Sequence, residues 1–331
     1  MDPLSQGTVG AAFAQSAANK NNIFKIGIIG FIAGLAPDLD VFIQSSNDPI
    51  LSLEYHRQFS HSLFFIPIGS LIVALLIFPW VKKAMSFKLV YLVSFLGYAT
   101  HGLLDACTSY GTLLLWPFSY ERITWNNISI VDPIFTIPTL IFVICALMTK
   151  RKKFSFFAIG WILFYLIFGL VQYERTLSAA KDLASSRGHS AERLTLKPSF
   201  GNLILWKSIY KHEENFYVDA IRTVQSSHWC SGESTRAFSY KQHLPKLNKD
   251  SQQAKDIERF RWFSQDYLGY QKEKKLVTDI RYSMLPNQIE AMWGLVIDET
   301  LDFEQHALWW TGRSLEPSEF CLLYTSPSPR D

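Results

Sequence analysis

The amino-acid sequence predicts a mainly α-helical membrane protein, in which a polytopic bundle of about five spans precedes an α+β domain outside the cytoplasm. Two observations predict this fold class. Up to Tyr173 the chain consists mostly of Ile, Leu, Phe, Val and Gly, whereas Lys, Arg, Asp, Glu and Ser become frequent after it. The apolar part also contains several runs close to the roughly 20 residues that a helix needs to cross a bilayer.

Four runs qualify as spans outright, and a fifth qualifies if Asp38 and Asp40 lie at its end. The four runs are 63–81, 89–104, 130–148 and 154–173. The fifth, 24–43, comes first along the chain. Residues 7–18 are too short to cross a bilayer, so we expect an interfacial or packed helix there. The alternative is a large soluble core of buried helices, but a soluble domain of this size seldom contains so many apolar runs.

The polar half predicts an α+β fold. FGNLILWKSIYKHEENFYVDAIRTV alternates apolar and polar residues on both sides of KHEEN, which predicts a β-hairpin. DIERFRWFSQDYLGYQ is typical of an amphipathic helix, and KLVTDIRYSML and IEAMWGLVID predict further strands. We expect a membrane-embedded domain over 1–173, a soluble domain over 174–320, and a non-native tail, CLLYTSPSPRD, over 321–331.

Basic residues in short loops predict the orientation, because Lys and Arg accumulate on the cytoplasmic side of a membrane. If the spans alternate, three basic groups fall on one side. The opposite side then holds Asp38 and Asp40 in PDLD, the loop with His56 and His61, the end of the run over 89–104, and the domain after Tyr173. The basic groups are Lys20 and Lys25, then Lys82, Lys83 and Lys88, then Lys150, Arg151, Lys152 and Lys153.

Composition argues against several functional classes. The formal net charge is only +3, which gives no support to a nucleic-acid partner. The four cysteines form no CxxC pair and imply no disulfide framework. The N-terminal stretch has an acid at position two and no basic segment, so it does not predict a cleaved signal peptide.

Two motifs place acids and histidines near the first spans. PDLD contains Asp38 and Asp40, which an extended backbone would point the same way; the alternative is that they only terminate a helix. YHRQFSHSL contains His56 and His61, with Ser60 as a possible helix cap; the alternative is a pair of solvated loop histidines.

A third motif, HGLLDACTSYGTLLLWPF, places His101 and Asp105 on one face of an apolar helix. Their alternative role is a hydrogen bond that stabilises a polar spot. Ionisable residues inside a membrane are functional candidates by default. The three histidines before Tyr173 all fall in these motifs, which favours a joint site.

A divalent metal ion accounts for the three motifs together. Imidazoles and carboxylates suit Zn²⁺ or Mn²⁺, and an ion offsets the cost of placing carboxylates against apolar surroundings. Arg57 suits an anionic substrate because its guanidinium matches phosphate oxygens; a surface salt bridge is the alternative. Asp132 is a candidate further ligand, an acceptor for a ligand, or a helix N-cap, and we favour the N-cap.

The motifs MDPLSQGTVGAA, PDLD, HRQFSHS and HGLLDACTSYGTLLLWPF, in this order, resemble the LexA-binding, inner-membrane-associated metal-dependent hydrolase family of bacteria. The resemblance covers the chain to about Phe135, and it implies a multi-span helical protein distantly similar to zinc-dependent phospholipase C and zinc nucleases. Family members often carry an early histidine where this chain has Gln6, so Asp2 would replace it or one metal fewer would bind. The implied ligands are Asp38, Asp40, His56, His61, His101 and Asp105.

The sequence therefore predicts a metal-dependent hydrolase of phosphoesters in the bacterial inner membrane, with Arg57 and Asp105 as catalytic residues. The expected metal is zinc, with manganese as the second choice. The expected partners are the lipid bilayer, a small-molecule or lipid phosphoester, and a protein partner. Two alternatives stay open: a transporter in which the acids and histidines form an ion path, and a non-catalytic anchor for a partner protein.

Overall fold

The computed structural model describes residues 1–312. The helices are α1 (Pro3–Ser16), α2 (Ile23–Leu35), α3 (Leu51–Tyr55), α4 (Ile66–Val81), α5 (Phe87–Ala106), α6 (Pro133–Thr149), α7 (Lys153–Ser186), α8 (Tyr240–His243) and α9 (Gln252–Phe263). The strands are β1 (Glu192–Pro198), β2 (Leu205–His212), β3 (Asn215–Thr223), β4 (Ser227–Arg236), β5 (Leu268–Gln271), β6 (Leu276–Asp279), β7 (Trp293–Val296) and β8 (Leu308–Thr311). The suspected tail over 321–331 lies outside the described residues.

The chain divides into two compact units, and α7 begins in the first and ends in the second. The first unit, which is helical, consists of Met1–Ile43, Tyr55–Val171 and Phe200–Asn202. Within the described residues, the second consists of Gln44–Glu54, Gln172–Ser199 and Leu203 to Gly312. The second unit therefore includes a segment from the N-terminal part of the sequence.

Small residues let the first helices of the helical unit approach closely. Gly30 and Gly34 on α2 face α1, and a Cβ atom on Gly30 would lie 2.3 Å from Ala14 Cβ. Spacing of this kind is typical of helices that pack in membranes. The packed helix expected over 7–18 is α1, and most of its residues are buried.

The surface of α4 reverses the pattern of a soluble helix. Its buried residues are the small or polar Gly69 and Ser70, together with Val73 and Ala74. Its large apolar residues are exposed: Ile68, Leu71, Ile72, Leu75, Leu76 and Trp80. A contiguous exposed apolar face suits contact with lipid, because water would penalise it.

The number of membrane spans is lower than the sequence predicted. Among residues 1–312, two helices, α5 and α7, are long and apolar enough to cross a membrane, and a bent pair ending in α4 raises the number to three at most. The expectation of about five spans is therefore too high. The run over 24–43 breaks at Leu35, because Pro37 lies in a 3-10 helix over Ala36–Phe42. The remaining α2 has 13 residues, about 20 Å of helix, which is shorter than a bilayer core.

The second unit contains two four-stranded antiparallel sheets, in the strand orders β1-β2-β3-β4 and β5-β6-β7-β8. The predicted hairpin is β2 and β3, whose pairing closes at His212 and Asn215. The predicted amphipathic helix ends earlier than expected, since α9 stops at Phe263 and the residues Leu268–Gln271 form β5. Trp206, Tyr210 and Phe216 are fully buried, so this unit has an aromatic core.

Candidate metal centre

The structure brings the three polar motifs of the first unit to one place. Asp38 and Asp40 come from the 3-10 helix after α2, and His56 and His61 from the turns between α3 and α4. His101 and Asp105 lie one turn apart near the C-terminal end of α5. These residues form two overlapping groups that could hold a metal ion, and both groups contain Asp38.

The first group consists of Asp38, His61, His101 and Asp105. His61 Nε2 lies 3.0 Å from His101 Nε2, 3.4 Å from Asp38 Oδ1 and 3.2 Å from Asp105 Oδ2. His101 Nε2 lies 3.3 Å from Asp38 Oδ1 and 3.5 Å from Asp105 Oδ2. Ligand atoms about 2.0–2.1 Å from a tetrahedral ion are about 3.3–3.4 Å from one another. The measured separations fit the edges of such a tetrahedron.

Three polar atoms of this group, Asp105 Oδ2 and the Nε2 atoms of His61 and His101, face one another as ligands of a cation would. Asp105 is fully buried, and its Oδ2 atom accepts no well-aligned hydrogen bond within residues 1–312, although Arg57 Nε lies 3.2 Å away. The two facing Nε2 atoms also converge on this oxygen, and buried polar atoms are costly when they lack a partner. A divalent ion among the four atoms would satisfy all of them, so the residues present fit a metal site.

The far side of each histidine ring has its own partner. His101 Nδ1 lies 2.6 Å from the backbone oxygen of Gly34. His61 Nδ1 lies 2.9 Å from Ser60 Oγ and 3.2 Å from Asp40 Oδ2. Such partners orient a metal-binding imidazole and fix its tautomer.

Asp40 collects polar contacts from the YHRQFSHSL motif. It accepts hydrogen bonds from the backbone N–H of Arg57 at 3.0 Å and from Ser60 Oγ at 2.7 Å, and His56 Nδ1 lies 2.8 Å from its Oδ1. Together with Asp38 and His56 it forms the second group. Ser60 therefore binds Asp40, and its expected role as the cap of the following helix is wrong, since α4 begins after Phe65 with no side-chain cap.

The two aspartates do not share a direction along an extended backbone, as the sequence had suggested. They lie in a 3-10 helix, in which side chains two residues apart diverge. Asp38 therefore reaches the Nε2 side of His61, while Asp40 reaches its Nδ1 side. The divergence places one carboxylate on each side of the same imidazole.

Arg57 is buried beside the first group, with 5% of its surface exposed, so the surface salt bridge considered as its alternative role is wrong. Its Nε lies 3.2 Å from Asp105 Oδ2, and its Nη1 donates to Thr108 Oγ1 at 3.0 Å. The guanidinium also stacks over Tyr110, 4.7 Å from the ring centre. Its backbone has a φ of 63°, an uncommon conformation that the hydrogen bond from its N–H to Asp40 helps to hold.

Residues near the N-terminus complete the site in a different way from that expected. Gln6 Nε2 donates to Asp105 Oδ1 at 2.8 Å, and the α-amino group of Met1 contacts the same oxygen. Asp2 instead caps α1 by accepting from the backbone N–H of Ser5 at 3.0 Å, and it belongs to neither group. Gln6, and not Asp2, is therefore the early residue that contacts the first group.

The sequence predicted one further helix cap, but it did not predict three residues that contact the candidate ligands or Arg57. Asp132 caps α6, as favoured, by accepting from the backbone N–H groups of Ile134 and Phe135. The roles of Gly34, Thr108 and Tyr110 were not predicted. Their only signal was position, since Thr108 and Tyr110 follow directly after HGLLDAC.

Comparison with known proteins bears on the half of the chain that holds this site. The model of the YdjM inner membrane protein family matches residues 1–176, more than half of the chain, and covers all three motifs. None of the curated proteins and none of the solved structures matches the chain. The family match and the exposed apolar helices agree, and the chain belongs to the YdjM inner membrane protein family.

Proposed function

We propose that this protein is a membrane-bound metal-dependent hydrolase that cleaves phosphoesters. The observation that carries the proposal is the first group, in which two imidazole nitrogens and two carboxylate oxygens stand at the spacing of a tetrahedral ion. Arg57 Nε and the Nε2 atoms of His61 and His101 also lie 3.2–3.5 Å from the buried Asp105 Oδ2, which accepts no well-aligned hydrogen bond among residues 1–312.

The proposed ligands of the first ion are Asp38, His61, His101 and Asp105. When bound, such an ion supplies Lewis-acid chemistry and makes water more acidic, which suits the attack of water on phosphorus and cleavage of the ester P–O bond. Zinc is favoured by the mixed imidazole and carboxylate set and its tetrahedral spacing, and manganese is the second choice.

The neighbouring residues have separate proposed roles. Arg57 is buried against Asp105 and carries a fixed positive charge, so it would bind an anionic oxygen of the substrate. Asp40 orients the rings of His61 and His56 through their Nδ1 atoms. His56 is 26% exposed at its side chain, which would let it exchange a proton with solvent or join Asp38 and Asp40 around a second ion.

Location and partners extend the proposal. The basic loops favour a multi-pass protein of the bacterial inner membrane. Its C-terminal unit lies outside the cytoplasm only if α6, an apolar helix of 17 residues, also crosses the bilayer between α5 and α7. A substrate with a lipid-derived phosphoester would reach the site from the bilayer. Reporter fusions after His189 and after Lys83 should report opposite sides of the membrane, and fusions that report the same side would contradict this topology.

Elemental analysis of the purified full-length protein tests the metal. The wild type should carry zinc or manganese in stoichiometric amount, and His101→Ala should lose most of it because one of four ligands is removed. His228→Ala is the matched control, since this exposed histidine lies in the second unit and should leave the metal unchanged.

Hydrolysis is measured on the same preparations with a soluble phosphomonoester, a phosphodiester and phospholipid vesicles. The wild type and His228→Ala should cleave at least one of these substrates, and His101→Ala should not. A wild-type protein that carries no stoichiometric metal would contradict the proposed metal-dependent hydrolase. Metal-dependent uptake by proteoliposomes without hydrolysis would favour the transporter, and an intact cellular phenotype after loss of all the ligands would favour an anchor for LexA or another protein.

A further inference from the structure

The segment Gln44–Glu54 joins the two halves of the candidate metal centre. Gln44 lies four residues after Asp40, and Glu54 lies two residues before His56. Most of its side chains are exposed or only half-buried, and its helix α3 has five residues. A helix this short is not stable by itself, so other contacts must hold it.

Arg259 on α9 supplies these contacts within the second unit. Its Nη1 and Nη2 donate to the two carboxylate oxygens of Asp48, both at 2.9 Å. Its Nε and Nη2 donate to the two oxygens of Glu54 at 2.7 and 3.0 Å. Nη1 also donates to Asp256 at 3.3 Å. All five N–H groups of this guanidinium are thus used on three carboxylates.

The clamped residues also determine the local backbone. Asp48 Oδ1 accepts from the backbone N–H of Ile50 at 3.0 Å, which begins the turn before α3. Ile50 is fully buried. Asp48 therefore lies at the start of this turn and Glu54 lies in α3 after it, and Arg259 binds both.

This arrangement differs from an ordinary surface ion pair. Exposed pairs contribute little because both side chains remain mobile and solvated. The Arg259 side chain is only 20% exposed, and Asp256 is fully buried with His306 Nδ1 3.0 Å from its carboxylate. Two bidentate contacts give the guanidinium one geometry, which is what is needed to fix a loop.

We propose that Arg259 is a positioning residue for the metal centre: by clamping Asp48 and Glu54 it holds the chain that carries His56 and Arg57. The link is covalent, because Glu54 precedes both residues by two and three positions. Arg57 has an uncommon positive φ, and His56 must meet Asp40, so order in the preceding segment lowers the entropy cost of both. This role assigns a function to the C-terminal unit and rests on the proposed metal binding.

Arg259→Gln in the full-length protein tests the proposal, with Arg261→Gln as the matched control. Arg261 lies on the same helix and pairs with Glu258 and Asp266, not with the clamped segment. In Arg259→Gln, amide hydrogen exchange over residues 48–57 should accelerate about tenfold or more, because local opening becomes easier. Its affinity for zinc, measured by chelator competition, should fall roughly tenfold, as for other supports of metal ligands.

The Arg261→Gln control should leave both readouts close to those of the wild type. Arg259→Lys should be intermediate, since an ammonium keeps the charge but cannot serve two carboxylates bidentately. Combining Arg259→Gln with Glu54→Gln should add little to Arg259→Gln alone, because both remove the same contact.

Unchanged exchange over residues 48–57, or an unchanged zinc affinity despite faster exchange, would overturn the positioning role. An equal effect in Arg261→Gln would do the same, because it would mark a general loss of stability. A wild type that binds no metal would instead overturn the proposed function, and the exchange rates would still decide whether Arg259 clamps the segment.

Discussion

Asp38 and Asp40 differ in role although only one residue separates them. Asp38 belongs to both candidate groups, and 27% of its side chain is exposed. Asp40 is buried and contacts one backbone N–H, one hydroxyl and two imidazoles. The first has the surroundings of a shared ligand, whereas the second has those of a residue that also orients its neighbours.

Replacing each aspartate by its amide should separate these roles. Asp38→Asn should lose metal from both groups, because it removes a charged ligand that they share. Asp40→Asn should keep an ion in the first group but bind it about 10–100-fold more weakly, because the support of His61 is lost. Metal content and chelator competition measure the difference, and an equal loss in both variants would contradict it.

Lys207 is an unusual residue of the second unit. It is 4% exposed, it donates to Ser283 Oγ at 2.6 Å and to the backbone oxygen of Gln288 at 2.8 Å, and it pairs across the sheet with Lys197. Burial lowers its pKa to about 7, although Asp279 and Glu233 act in the opposite direction. The folded unit therefore favours the neutral amine of Lys207 above about pH 7, where an exposed lysine is still charged.

The stability of the second unit should consequently rise with pH above neutrality. An unfolded lysine has a pKa near 10.4, so between about pH 7 and 10 the unfolded chain binds more protons than the folded one. The free energy of unfolding should rise by at most about 1.4 kcal/mol per pH unit from this group. Urea unfolding at pH 7, 8 and 9 should show a steeper rise in wild type and in exposed Lys246→Met than in Lys207→Met, which keeps only the contribution of Lys197, whose pKa burial also lowers. Equal slopes in all three would contradict the assignment.

At the scale of elements, α5 brings two candidate ligands to the site because it can approach the HRQFSHS segment closely. A Cβ atom on Gly102 would lie 2.2 Å from the backbone oxygen of His61. Only glycine permits this approach between His101 and the turn that carries His61. Gly97 plays a similar part against α2, where a Cβ would lie 2.6 Å from the backbone oxygen of Gly30.

Gly102→Ala should therefore push the His61 segment away from α5. We expect a loss of about 1–3 kcal/mol in stability, as for other overpacked sites, and weaker metal binding. Thermal unfolding and zinc titration measure the two effects. Gly160→Ala on α7 is the control, since nothing lies within 4 Å of its added Cβ, and alanine there should be neutral or slightly stabilising. A Gly102→Ala protein with normal zinc affinity would contradict the close packing described.

At the scale of the whole molecule, the two units are built for different surroundings. The helical unit buries small and polar residues and exposes Leu, Ile and Phe on α4 and α7. The second unit buries the large aromatic side chains Trp206 and Tyr210 of β2 and Phe216 of β3. The candidate metal ligands all belong to the first unit.

Metal removal should accordingly affect the first unit most. An ion present at 100 times its dissociation constant stabilises the folded state by about 2.7 kcal/mol, and a chelator removes this contribution. Amide exchange around His61 and His101 should accelerate after chelation, while the amides of β2 and β3 should keep their rates. Mass-spectrometric exchange on the full chain measures both, and uniform acceleration would contradict a local effect.

Local patterns were sufficient to single out the polar residues that the structure brings together. The histidines before Tyr173 are few, each lies beside an acid or arginine in a short motif, and a carboxylate in an apolar run has a high cost. The hairpin of β2 and β3 and the cap at Asp132 were likewise predictable, because both depend on neighbours in the chain. The span count was not, since hydropathy counts the run over 24–43 as one span although its helix ends at Leu35, two residues before Pro37.

The sequence by itself thus determined the residue types of the candidate centre and the order of helices and sheets, because these follow from composition and short-range spacing. Tertiary structure alone decided which oxygen meets which nitrogen: Asp38 and Asp40 take opposite sides of His61, and Gln6 takes the place beside Asp105. It also decided that Arg259 clamps Asp48 and Glu54, more than 200 residues away in sequence. Such contacts depend on backbone approach and side-chain direction in the folded chain, and neither has a local signal.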